Sequence, residues 1–299
     1  MNFKETLRAK TDRAEAVLKK YLPEETGFQK LVLEAMNYSV MAGGKRLRPI
    51  LMEESYLLFG GSGKIIEPFM AALEMIHNYS LVHDDLPSAD NDEYRRGRLT
   101  TWKAYGEGIA VLAGDGLLNL AFETAAKALT LAEDECQLRR SAKAIQILGK
   151  KAGIYGMIGG QTADLEAETA AAVSEEMLLF IHENKTAALL QAAMMIGAVL
   201  AGADENAVGQ MEKAAYNIGI AFQIQDDILD VTSSMEVLGK PVGSDEKNNK
   251  LTYVSMHGLE KSREEVQRLS DEALSILDSF EMKNEFLMEL VKSLVSREK

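Results

Sequence analysis

The sequence predicts an all-α fold, a large helical bundle with a central cavity and a single domain over residues 1–299. Three observations predict it. Long segments rich in Ala, Leu, Met, Glu and Lys repeat their apolar positions with helical period. Only five prolines interrupt them, and no stretch alternates convincingly with the period of a strand. No internal repeat or low-complexity linker divides the chain, and with 46% of its 299 residues hydrophobic it can bury one large core.

The elements follow in order. Residues 3–21 read as an amphipathic helix that ends near Pro23, and 26–42 as a second, closed by Gly43-Gly44. A third starts near Pro49, a favoured first-turn residue, and stops at Gly60-Gly61. Pro68 opens a fourth, and Pro87 ends it. Further helices are expected at 104–130, 135–158, 173–201, 204–233 and 259–297, the last broken near Phe280. The segment 187–203 is apolar on nearly every face, so it is either deeply buried or presents one face to another subunit. A homodimer is the expectation drawn from it. The lysine- and glycine-bearing stretch 239–250 reads as a lid-like loop.

Composition narrows the function classes. A net charge of −13 argues against nucleic acid or an anionic membrane as the main partner. An anionic substrate must then be held by local basic residues and metal. Cys136 is the only cysteine, which excludes a disulfide framework and a cysteine metal cage. The first twenty residues are charged throughout, and no uncharged apolar run reaches the roughly 18 residues of a membrane span. The expectation is a soluble, cytoplasmic protein.

Chemistry concentrates in two stretches. In IHNYSLVHDDLPSADNDEYRRGR (76–98), five carboxylates (Asp84, Asp85, Asp90, Asp92, Glu93) fall within ten residues and are followed by Arg95, Arg96 and Arg98. Carboxylates so close repel one another, so stability does not explain them. Clustered oxygen ligands suit Mg²⁺, which takes one or two carboxylates while phosphates and water complete its octahedron, and arginines hold phosphates bidentately. In FQIQDDILD (222–230), Asp226, Asp227 and Asp230 form a second group. Asp226 and Asp230 lie on one helix face, about 6 Å apart along the axis. Lys240 and Lys250 follow. Two acidic groups, each trailed by cations, suggest two walls of one cavity around a metal-bound diphosphate.

These motifs resemble the trans-prenyl diphosphate synthase family. GGKRLRP (43–49), IHNYSLVHDDLPSAD (76–90), RRG (95–97), GGQTADL (159–165), ENKT (183–186), FQIQDDILD (222–230) and GKPVGSD (239–245) occur in that family's order. Four residues separate Asp85 from Asp90, as in the bacterial farnesyl diphosphate synthases. The resemblance implies head-to-tail condensation of isopentenyl diphosphate with dimethylallyl and then geranyl diphosphate. It implies three Mg²⁺ ions on Asp84, Asp85, Asp90, Asp226, Asp227 and Asp230. Arg95, Lys185 and Lys240, with Lys250 assisting, would hold the allylic diphosphate. Thr186 and Gln223 would line the reacting carbons with oxygen dipoles, and Lys45, Arg48, His77 and Arg96 would hold isopentenyl diphosphate. Spacing supports the last group: His77 and Asp84 share a helix face about 10 Å apart along its axis, room for a second phosphate beside a metal-bound one. Tyr79 and Ser80 occupy the chain-length position, where a bulky aromatic in similar synthases stops growth at fifteen carbons.

Some positions depart from the family pattern. RGRLTTW (96–102) has Leu99 and Trp102 in place of a proline and a histidine, Asn91 replaces a common aspartate, and Val254 a common proline. None removes an implied ligand. The rival product is geranylgeranyl diphosphate, by the same chemistry. A class I terpene cyclase fits less well, because Ser or Thr usually stands where Asp230 does. A regulatory subunit would typically have lost one aspartate group. A di-iron bundle needs two Glu-x-x-His pairs on inward faces, and Glu74-to-His77 is the only one found. His83, His182 and His257 read as ordinary packed or hydrogen-bonded histidines.

Overall fold

A computed structural model describes residues 2–170, 172–232 and 252–295. Lys240 and Lys250, and with them the lid-like stretch, lie outside the described residues. The chain forms two compact units, one from residues 1–53 and 62–145, the other from 54–61 and 146–299.

In the first unit, α1 (Phe3–Tyr21) opens on a capping box in which Asn2 and Glu5 satisfy each other's backbone amides. Next come α2 (Lys30–Val40), the start of α3 (Leu47–Leu58), and α4 (Glu67–Asp84) with Pro68 in its first turn. α2 begins later than the expected residue 26 because Gly27 stands at φ +78° and breaks the helical path. A hairpin follows, β1 (Tyr94–Arg95) against β2 (Arg98–Leu99), then α5 (Thr101–Tyr105) and α6 (Glu107–Leu131). α4 is buried almost all round, with Phe69, Leu73 and Ile76 inaccessible. Each such side chain contributes roughly 1.5–3 kcal/mol. It packs along α6, whose buried face is Ala110, Ala113, Gly114, Leu117 and Ala121. Small residues there let the two backbones approach closely.

α7 (Glu135–Ala152) starts in this unit and ends in the second. The expected helix 135–158 stops early. A Cβ on Gly156 would meet the Lys151 carbonyl oxygen at 2.1 Å, so only glycine makes the turn into α8 (Met157–Thr169). The second unit continues with α9 (Glu175–Ile181), a π-helical turn (His182–Ala187), α10 (Ala188–Ala201) and α11 (Glu205–Thr232). It closes with α12 (Tyr253–His257), α13 (Leu259–Ser279) and α14 (Glu285–Val295). α10 and α13 pack against α11, and Ile220, Ala221, Ile224, Ile228, Val266 and Leu269 form an apolar cluster there.

The apolar segment 187–203 thus resolves to the buried alternative. Every residue of α10 except Met195 and Ala201 is buried within the chain. Among the described residues, two helical stretches, Glu107–Leu131 and Glu175–Ala201, are long and apolar enough to cross a membrane. Of their most apolar windows, 39% and 78% respectively are buried inside the protein, the second as a core helix would be.

Candidate active site

The first acidic group is built by the end of α4 and the loop after it. Asp84 is the helix's last residue and Asp85 its cap. The loop then folds back: the Asp90 amide donates to the Asp84 carbonyl at 2.8 Å, and the Asn91 amide to Leu86 at 3.0 Å. Asn91 takes φ +54°, a left-handed conformation that asparagine tolerates better than most side chains. The fold-back sets Asp90 beside Asp84 although six positions separate them in sequence. Asp85 is buried, and burial pushes its carboxyl above the usual range while the Arg95 guanidinium pulls it down. Arg95 grips it with Nε at 2.7 Å and a terminal nitrogen at 2.6 Å. The arginine expected to hold allylic diphosphate therefore stands in an ion pair with a metal-ligand candidate.

The hairpin was not foreseen. Arg96 at φ +53° and Gly97 at φ +74° form its two-residue turn, both left-handed as a type I′ turn requires. Arginine is an unusual occupant of that position, and here the Arg96 side chain donates to the Gly43 carbonyl. Gly44 makes room for it: a Cβ there would fall 2.9–3.1 Å from the guanidinium, and φ +143° is itself a glycine conformation. The departures at 99 and 102 are absorbed into the same structure. The Trp102 indole donates to the Asp92 carbonyl at 2.8 Å, and Tyr38 donates to the Leu99 carbonyl at 2.8 Å.

Of the isopentenyl diphosphate candidates, Arg48 and Arg96 lie close enough to His77 to act on its charge. Burial, then the charges of Arg48, Arg96, Arg46 and Arg95, hold its imidazole well below the usual histidine range, so it is neutral near pH 7. Arg48 has a buried Nε with no hydrogen-bond partner. Burial lowers the Arg48 guanidinium, Glu74 raises it and Arg96 lowers it again. Lys45 is exposed. Beneath lies a pair that sequence reading missed: Arg46, fully buried, donates to Glu74 at 2.8 Å and to the Val40 carbonyl at 2.7 Å. Glu74 is thus the counter-ion of a structural arginine, which removes it from any di-iron motif. Tyr79 is buried one turn further along α4, its ring edge-on to His83 with centroids 5.8 Å apart. Burial and the charge of Asp84 push its phenol up to about 12. Ser80 donates to the His77 carbonyl at 3.0 Å.

The second acidic group lies on α11 and is joined to the π-helical turn. Such turns widen a helix by one residue and recur at functional sites. Lys185 points to Asp164 of α8 with Nζ–Oδ2 2.5 Å, and Thr186 donates to Gln223 Oε1 at 3.0 Å. Two glycines bring these elements together. A Cβ at Gly160 would meet the Lys185 amide nitrogen at 2.1 Å, and one at Gly219 would meet the Ala187 Cβ at 2.3 Å. From Gly219 the same α11 face runs through Gln223 to Asp226 and Asp230, so Asp226 stands about 4.5 Å beyond Gln223 along the axis. Asp230 is buried, and Asp227 accepts from the Tyr253 amide at 2.8 Å, tying α11 to the start of α12.

Asp164 lies in GGQTADL, but the sequence carries no helix signal there to set its face. On α8 it is i+4 from Gly160 and shares its face. His83, His182 and His257 stay outside the chemistry: His83 packs on α6, His182 is buried, and His257 lies against Tyr253 and Glu175. Among the described residues, no three His, Cys, Asp or Glu side chains converge as a ready cage. The acidic groups are all hard oxygen donors, a set that fits a magnesium-like cation completed by phosphate oxygens better than a softer metal.

The family model for polyprenyl synthetases matches residues 29–291. The chain belongs to that family. It is a prenyltransferase with trans-prenyl diphosphate synthase chemistry, and the family's condensation depends on a divalent metal. It is 41% identical to a farnesyl diphosphate synthase of Geobacillus stearothermophilus, over 89% of this chain and 88% of that one. It is 45% identical to a chloroplastic geranylgeranyl pyrophosphate synthase of Catharanthus roseus, over 83% of this chain and 68% of the relative. Its fold is similar to the crystal structure of an FPP/GFPP synthase from Zymomonas mobilis, with TM-score 0.87, 32% identity and 99% of each chain covered.

Proposed function

We propose that this prenyltransferase is a farnesyl diphosphate synthase: it joins isopentenyl diphosphate to dimethylallyl and then geranyl diphosphate and stops at fifteen carbons. The observation that carries this reading is Tyr79, a buried aromatic five residues before Asp84 on the same helix. That spacing is about 7.5 Å along the axis, and helix side chains lean toward the N-terminus. A prenyl chain anchored by its diphosphate near Asp84 grows down this helix and meets the ring.

Asp84, Asp85, Asp90, Asp226, Asp227 and Asp230 would hold the metal, three Mg²⁺ in this reading. Bound there, Mg²⁺ supplies Lewis-acid stabilisation of the departing diphosphate. Lys185, held by Asp164, and Arg95, shared with Asp85, bind the allylic diphosphate together with Lys240 and Lys250. Thr186 and Gln223 present oxygens to the positive charge that develops when the allylic C–O bond breaks. Lys45, Arg48, Arg96 and neutral His77 fix the isopentenyl diphosphate so that its alkene attacks that carbon. A proton then leaves the condensed product.

The active form in this reading is a homodimer. Its support is α6, which leaves Val111 and Leu112 exposed although most of its length is apolar. A reducing cytoplasm suits the exposed lone thiol of Cys136. A twenty-carbon product is the competing reading, favoured by the similarity to the Catharanthus enzyme. Incubation with isopentenyl and geranyl diphosphates and Mg²⁺, followed by chromatographic sizing of the dephosphorylated alcohols, tests the assignment. Farnesol as the terminal product supports it, and accumulation of geranylgeraniol refutes it.

A further inference from the structure

Gly114 lies in the interior of α6, where glycine is unfavourable relative to alanine. No turn requires it. Its reason is steric: a Cβ at Gly114 would fall 2.0 Å from His83 Nε2, 2.4 Å from Cδ2 and 2.8 Å from Cε1. The imidazole lies across the bare α-carbon, and Nε2 sits 3.2 Å from the Val111 carbonyl and 3.9 Å from Asp115. The same imidazole also meets the Tyr79 ring at 78°, the edge-to-face arrangement aromatic rings prefer. His83 is thus wedged between α6 and the tyrosine proposed to end chain growth.

We propose that His83, seated on Gly114, is a positioning residue that fixes the Tyr79 ring and so sets the length of the prenyl product. This rests on the reading that Tyr79 ends chain growth. A ring held in one place gives a sharp stop. Without its neighbour the ring can turn aside, and a longer chain passes.

The test uses the full-length enzyme with isopentenyl and geranyl diphosphates and Mg²⁺, reading the ratio of twenty- to fifteen-carbon alcohols alongside total turnover. Gly114→Ala unseats the imidazole, and His83→Ala removes it. Each is expected to raise that ratio about threefold to tenfold, the range that loss of an edge-to-face contact represents, with turnover changed less than the ratio. In the His83→Ala background, Gly114→Ala should change nothing more, because the three atoms nearest the added methyl belong to the imidazole. A merely structural role would lower stability and turnover at constant ratio, and that result in both single variants overturns the proposal. His83→Ala carries the test if Gly114→Ala does not fold. Tyr79→Ala separates the two readings. If it lengthens the product while His83→Ala and Gly114→Ala do not, the seat is wrong and the floor stands. If Tyr79→Ala leaves the product unchanged, the floor itself is wrong and the seat falls with it.

Discussion

Gly160→Ala is the substitution that most sharply probes the π-helical turn. The added Cβ would lie 2.1 Å from the Lys185 amide nitrogen, where ordinary contacts begin near 3.4 Å. α8 and the π-helical turn must therefore separate by about 1.3 Å at that point, and both neighbouring atoms on the turn, Asn184 C and Lys185 Cα, are backbone that cannot swing away. Overpacking of this kind costs about 1–3 kcal/mol of stability. The catalytic consequence is larger, because Lys185 and Thr186 are carried on the displaced segment and a misplacement of about 1 Å can lower turnover roughly 100-fold. The expected result is a folded protein with a modestly lower melting temperature and about 100-fold lower kcat. The Asp164–Lys185 contact is strained in the same step, so KM for geranyl diphosphate should rise more than KM for isopentenyl diphosphate. Steady-state kinetics with each substrate varied, beside circular dichroism melts, reads all of these. Turnover within about threefold of the unaltered enzyme in a folded Gly160→Ala would refute the claim that this packing sets the reach of Lys185.

Two further predictions concern the phosphate-binding candidates and His77. Arg48→Ala and Lys45→Ala should raise KM for isopentenyl diphosphate by about tenfold or more, the worth of one charged hydrogen bond, while Lys185→Ala and Lys240→Ala act mainly on the allylic substrate; equal effects on both substrates in all four would argue against separate pockets. The His77 imidazole is depressed in the folded state, so the unfolded chain takes up the proton first as pH falls below its ordinary value near 6.5. Stability should be full above that pH and decline below it, and urea midpoints in His77→Gln should show a shallower decline. An unchanged pH slope in the variant would show that His77 is not buried among like charges.

Much of this was legible in the sequence because the chemistry is concentrated in contiguous motifs. Asp84 and Asp85 end a helix whose stop was written in Pro87, and Asp226 and Asp230 share a face by spacing alone. What escaped notice depends on long-range packing. Asp164 and Lys185 are 21 positions apart, and nothing local says that a glycine at 160 lets the π-helical turn reach α8. The Arg96-Gly97 turn lacks the Asn-Gly signal of its type, because its arginine is held by a carbonyl more than fifty residues away. The apolar periodicity of 187–203 could not distinguish an interface from an interior, whereas the folded chain buries nearly all of α10. The sequence also offered Arg95 as a phosphate ligand without revealing that Asp85 holds it at 2.6 Å.

The proposed function requires both acidic groups to act on one diphosphate. The measurement that tests it most directly is a double-mutant cycle on kcat with Asp84→Ala, Asp226→Ala and the double variant, at saturating substrates and Mg²⁺. Groups that act as a unit lose their effect together, so each single variant should fall by about 10³-fold or more and the double variant by little beyond the worse single. Near-normal turnover in either folded single variant, or losses that multiply in the double, would contradict a shared site.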